Sequence, residues 1–137
     1  MIRPFITKNK FIAGLILLSC LTSCQLSIKP ESLYGKWKYV KIENNSVANT
    51  TNVTPEELEA KSPYIKFTKD SLFIWWSNRL LSHGTYKIDG EKIQFKEILE
   101  GGKIREFPFI VSKLDDKNLV FSTQGDDGSK VTAIKEN

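Results

Sequence analysis

The stretch GTYKIDGEKIQF, Gly84 to Phe95, decides the fold. Tyr86 and Ile88 fall on one side of a strand before the turn. Ile93 and Phe95 fall on one side of a strand after it, with Gln94 and Lys96 opposite. That alternation has the period of a half-buried strand. Asp89-Gly90 between the two runs predicts a two-residue hairpin turn with positive φ at both central positions. The same grammar extends in both directions. Upstream lie GKWKYVKI (Gly35 to Ile42), YIKFTK (Tyr64 to Lys69) and SLFIWW (Ser71 to Trp76). Downstream lie KIREFPFIVSKL (Lys103 to Leu114), LVFST (Leu119 to Thr123) and SKVTAIK (Ser129 to Lys135). Gly101-Gly102, DDKN from Asp115 and GDDG from Gly125 supply turns. TPEELEAK, Thr54 to Lys61, is the one helix predicted: Thr54 is its N-cap, Pro55 suits its first position, and Glu57 can close a capping box. Short strands joined by tight turns leave no room for crossover helices. The expected architecture is all-β, an eight-stranded antiparallel up-and-down barrel whose closure removes the sheet edges; a two-sheet sandwich is the alternative.

Two stretches complicate the alternation. SLFIWWSN, Ser71 to Asn78, is apolar on both faces: Leu72, Ile74 and Trp76 share one, Phe73 and Trp75 the other. One set belongs inside the barrel. The other must pack under the short helix, under the polar loop NNSVANTTN (Asn44 to Asn52), or against a partner protein, because contiguous exposed aromatics mark interaction sites. Ser77 to His83 reads as a connection, with His83 in a loop or at a strand start. In the long strand, Pro108 cannot donate a ladder hydrogen bond, so it marks a bulge, a bend or an edge. If the register survives it, Arg105 shares the face of Phe107 and Phe109. A charge there is costly without a partner and points to an anionic ligand.

The first 23 residues read as an export signal, with Arg3, Lys8 and Lys10 ahead of the apolar run FIAGLILL. That run is too short to span a bilayer, which takes about 20 apolar residues. The signal ends in LTSC, Leu21 to Cys24, which resembles the lipobox of bacterial lipoproteins; LLSC at Cys20 is a weaker match. The resemblance implies cleavage before Cys24 and acylation of its sulfur with chains such as palmitate. Gln25 in place of Asp then implies the outer membrane, and the lack of an acidic run in QLSIKPES implies the periplasmic face. Residues 24–32 are expected to form a lipidated tether, and residues 33–137 one folded domain. The only two cysteines, Cys20 and Cys24, leave no disulfide in such a mature chain, so its core alone must hold it. Without the three basic residues of the signal, 20 Lys+Arg become 17 against 16 Asp+Glu. That near balance gives no footing for a nucleic acid partner.

LYGKWKYVKI, with Gly35 and Trp37, resembles the Gly-x-Trp first strand of lipocalins. GTYKIDGEKIQF is similar to a hairpin of the lipocalin-like domains in small Gram-negative, Bacteroidetes-type lipoproteins. The Thr-Asp-Tyr motif and C-terminal helix of larger lipocalins are not evident. The resemblance implies that Trp37 plugs the closed end of the barrel and that Gly35 lets the chain bend beneath it.

No catalytic set is visible. His83 is the only histidine; with no nucleophile and orienting acid near it in sequence, the chain is read as a non-enzyme. One histidine cannot anchor a zinc site. The two acidic turns lack the ligand spacing of a calcium loop. No cofactor is expected. Two readings remain. In the first, a membrane-anchored barrel of the cell envelope binds a small hydrophobic ligand, with Tyr64, Trp76, Tyr86, Arg105 and Phe109 as its lining. In the second, the barrel is solid and acts as a structural or protein-interaction lipoprotein, with Phe73 and Trp75 meeting another envelope protein.

Overall fold

The computed structural model describes residues 26–44, 52–125 and 128–137. The lipobox and most of the Asn44–Asn52 loop therefore lie outside the described residues. Eight antiparallel strands form a closed barrel in sequence order. They are β1 (Gly35–Asn44), β2 (Tyr64–Phe67), β3 (Ser71–Trp76), β4 (Arg79–Asp89), β5 (Lys92–Ile98), β6 (Ile104–Leu114), β7 (Asn118–Ser122) and β8 (Ser129–Glu136). β1 pairs with β8 to close the wall, and Val40 is the extra residue of a bulge in that pairing. Two short helices flank β1: α1 (Pro30–Leu33) before it and α2 (Pro55–Lys61) after it.

The core follows from the period of two. Trp37, Ile65, Phe67, Leu72, Ile93, Phe95, Phe109, Val111, Leu119, Phe121 and Ala133 are all buried along the axis. Leu72 fixes the orientation of β3: Ile74 and Trp76 pack against the core from the same side, so Phe73 and Trp75 lie outside. Trp75 is covered there by a neighbour on β2, stacking on Tyr64 with ring centroids 6.0 Å apart. The Lys36 ammonium lies 4.0 Å from the centroid of the Tyr64 ring.

One end of the barrel is plugged. The fully buried indole of Trp37 donates from Nε1 to the Leu33 carbonyl of α1 at 2.8 Å. Lys135 crosses the same ring, its ammonium 4.7 Å from the centroid, and donates to the Tyr34 carbonyl. Gly35 makes the approach feasible: its φ is +116°, and a Cβ there would sit 3.0 Å from the Lys135 side chain. α2 lies at the opposite end, where the Ser77 amide donates to the Lys61 carbonyl at 2.8 Å. The Thr54 hydroxyl accepts from the Glu57 amide at 3.2 Å, and Leu58 is the residue it buries.

Three local expectations change, and the reading of Pro108 narrows to an edge. β4 starts at Arg79 rather than Gly84, because Ser77 and Asn78 both take positive φ and form the tight turn that the pattern did not reveal. The Gly84 hairpin turns one residue later than predicted: Asp89 pairs with Lys92, and only Gly90 of the loop pair Gly90-Glu91 has positive φ. Pro108 makes no bulge; β5 and β6 stay in register from Lys92↔Ile110 to Ile98↔Ile104. The part of the expected tether that is described, from Leu26 on, is packed: Ile28 is buried, Leu26 lies against the core, and Pro30 opens α1. Two alternate apolar residues and a single helical turn are too short a signal to separate from a linker.

Gly84 locks β4 to β5. A Cβ there would lie 1.9 Å from the Lys96 carbonyl oxygen, a backbone atom that cannot swing away. Gly84→Ala should cost about 1–3 kcal/mol or more through overpacking, measured by urea denaturation. A loss under about 0.5 kcal/mol, the range of an ordinary surface change, would contradict this register.

Candidate functional site

The end opposite Trp37 carries the Ser77-Asn78 turn, the Glu100–Gly102 turn, the β7–β8 connection and the end of α2, whose Lys61 carbonyl accepts from the Ser77 amide. The described wall has a gap there. β6 pairs with β7 only from Ile110 onward, so Ile104–Phe109 presents a free edge among the described residues. Pro108 sits on that edge, where its missing N–H costs no ladder bond. Along it runs an open hollow of about 650 Å³ whose inner wall includes Ile74, Phe107 and Phe109 beside Ser82, Glu97 and Arg105, and whose outer rim includes Leu81, Glu106 and Pro108.

The polar wall is one connected group. Glu97 continues the inward series Ile93, Phe95 and is only 7% exposed. Its Oε1 accepts from Arg105 Nε at 3.0 Å and Nη2 at 2.6 Å. The Ser82 hydroxyl donates to Oε2. Arg105 does share the Phe107 face, and its guanidinium carbon lies 5.1 Å from that ring's centroid. The cost foreseen for an interior charge is met by Glu97 and by position, since the Arg105 side chain is 62% exposed at the rim. Each ion satisfies the other, and the uncommitted N–H groups of Arg105 stay available at the entrance.

Below the cavity the aromatic residues form a contact chain. Phe107 packs edge-on against Phe109 at 5.5 Å, Phe109 meets Phe121 at 5.0 Å, and Phe121 meets Tyr39 at 6.1 Å. The Tyr39 side chain is buried inside the barrel, and its hydroxyl has no hydrogen-bond partner among the described residues. Burial pushes its phenol well above the usual tyrosine range.

The predicted lining residues separate in space. Arg105 and Phe109 line the cavity. Trp76 faces inward at the rim but outside that lining. Tyr86 faces inward lower down: its ring is edge-on to Phe67 at 5.4 Å, and its hydroxyl donates to the Thr68 carbonyl at 2.6 Å. Burial, and then the negative groups nearby, push the Tyr86 phenol up to about 12. Tyr64 is on the outer surface, because Ile65 and Phe67 take the inward positions of β2. Glu97 and Ser82 were passed over. Glu97 was legible in the alternation of β5; Ser82 was hidden by the late start assigned to β4. A larger hollow of about 800 Å³ runs along β4–β6, but it includes the outward, polar Thr85, Lys87, Gln94 and Lys96 and has no buried charged group. The mouth is the better-built site.

No family model matches this chain, and no curated protein matches it. Solved structures share its fold. A lipocalin-like protein from Bacteroides uniformis superposes with a TM-score of 0.56 at 19% identity, over 77% of this chain and 99% of that one. An uncharacterized protein from Bacteroides eggerthii gives 0.53 at 18% identity, over 76% and 99%. The likeness is one of fold: a lipocalin-like barrel.

The two buried tyrosines should behave oppositely. Tyr86→Phe removes a made hydrogen bond and should cost about 1 kcal/mol. Tyr39→Phe removes an unpartnered hydroxyl and should leave stability unchanged or raised at neutral pH. Both phenols have raised pKa values, so their contribution is whole below about pH 10, the unfolded value, and is lost as pH rises above it. Either substitution should move alkaline unfolding to higher pH. Equal losses for the two at pH 7 would contradict the assignment.

Proposed function

We propose that this chain is a lipid-anchored, lipocalin-like lipoprotein of the cell envelope that holds a small, largely apolar molecule in the mouth of its barrel. The observation that carries this reading is the hollow of about 650 Å³ in which an aromatic wall faces the buried Glu97 carboxylate and the rim-exposed Arg105 guanidinium paired with it. Ligand sites are commonly of about 300–1,000 Å³, mostly apolar, with a few fixed polar groups. The apolar wall would take the body of the molecule and the Glu97–Arg105–Ser82 group would orient its polar end. The lipobox-like LTSC supports acylation at Cys24, and Gln25 supports anchoring in the outer membrane, facing the periplasm. The proposed role is binding; the sequence shows no catalytic set, and His83 sits on β4 opposite Phe73, on the outer side of the wall.

A second reading rests on the outer face, where the Tyr64–Trp75 stack and Phe73 stand near exposed Leu80. There the chain would be a structural or interaction lipoprotein that meets another envelope protein through Phe73 and Trp75.

Native mass spectrometry separates the two. A Cys24→Ser form is purified from the periplasm without detergent. The carrier reading expects an extra mass that disappears on denaturation and is reduced at least tenfold by Glu97→Gln combined with Arg105→Gln. A bare chain with no uptake from an envelope lipid extract would overturn it and favour the outer face.

A further inference from the structure

The anchoring reading places lipid on Cys24, and the folded body begins only two residues later. Leu26 packs against the core, and Ile28 is 6% exposed. Leu26 borders one hollow shared with Asp89–Lys92 and another shared with Leu114, Asp115 and Asp116. It is therefore seated between the β4–β5 and β6–β7 turns, at the end plugged by Trp37. The Ser32 amide donates to the Lys29 carbonyl at 2.9 Å, and Leu33 is fully buried, so the chain from Leu26 to β1 is held throughout. Two residues of extended chain reach about 7 Å at most. That is about the depth of one headgroup layer, given a bilayer about 40–45 Å thick around a core of about 30 Å.

We propose that the plugged end of the barrel is a membrane-apposed surface, resting on phospholipid headgroups, and that the mouth points away from the anchoring leaflet. The proposal rests on acylation of Cys24. Its occupant is a zwitterionic bilayer surface, because the turns at this end carry Asp70, Asp89, Glu91, Asp115 and Asp116 against Lys69, Lys92 and Lys117. Such a surface has no excess of positive charge to draw it to anionic lipid; the covalent anchor supplies the attachment. β4 spans eleven residues, and a strand rising about 3.3 Å per residue, tilted about 40° in the wall, lifts the mouth about 25 Å from the headgroups. The Arg105 entrance then faces the aqueous compartment. Ligand arrives from solution or from another macromolecule rather than directly from the lipid beneath the protein.

The test uses the full acylated chain in phosphatidylcholine–phosphatidylethanolamine vesicles that contain an acceptor-labelled lipid. A donor dye is attached through Asp116→Cys at the plugged end or Lys103→Cys at the mouth. Energy transfer should be several-fold stronger from position 116, and ten Gly/Ser residues inserted between Gln25 and Leu26 should abolish the difference. Equal transfer from both positions in a chain whose mass confirms acylation would overturn the proposed orientation while leaving the anchor intact. A mass lacking the acyl group would overturn the anchor itself, and the orientation with it.

Discussion

The buried indole of Trp37 is the constraint from which the rest of the barrel takes its polarity. Its N–H is satisfied by the Leu33 carbonyl, so the ring can fill the barrel without stranding a polar group. The same bond fastens α1 beneath the strands. Gly35 admits the close passage of Lys135, which lies over the ring and ties β8 to the segment before β1. With that end filled by a tryptophan, a helix and a lysine stem, the hollow that reaches Glu97 and Arg105 lies towards the other end.

The mouth follows from unequal strand lengths. β6 is eleven residues and β7 only five, so β6 outruns its partner and leaves an unpaired edge where Pro108 is harmless. The inward positions beside that edge are no longer wholly apolar. β5 ends its inward series on Glu97, β6 begins its own on Arg105, and Ser82 completes the group from β4. Gly84 pairs with Glu97, and its close contact with the Lys96 carbonyl holds the carboxylate's strand tightly to β4. Polar groups in the lower barrel are treated differently: Tyr86 spends its hydroxyl on Thr68, while that of Tyr39 has no partner among the described residues. An unmet buried donor of that kind carries a cost that a bound molecule could relieve.

The strand count and closure were readable because tight turns and strict alternation admit few other topologies. Pattern failed where both faces of a strand are apolar. Tyr64 was drawn into the lining because aromatic character says nothing about which side a residue faces, and Ile65 and Phe67 settle that only once β2 is paired. Leu80 and Leu81 obscured the start of β4, since an exposed apolar pair on a bulged strand mimics a connection. Alternation put Arg105 on the inward face only on the condition that the register survive Pro108, which it does. Its partner was not, although Glu97 obeys the same rule four residues beyond Ile93. A pairwise contact between strands is a property of register, and a single sequence specifies register only after the turns are placed.

On the proposed function, the interior of the mouth, not the aromatic outer face, is where this barrel meets a ligand. Amide chemical-shift mapping during titration with an envelope lipid extract tests this. Saturable shifts confined to Ile74, Ser82, Glu97, Arg105, Phe107 and Phe109 are expected. Shifts centred instead on Tyr64, Phe73 and Trp75, with the mouth residues unmoved, would contradict it.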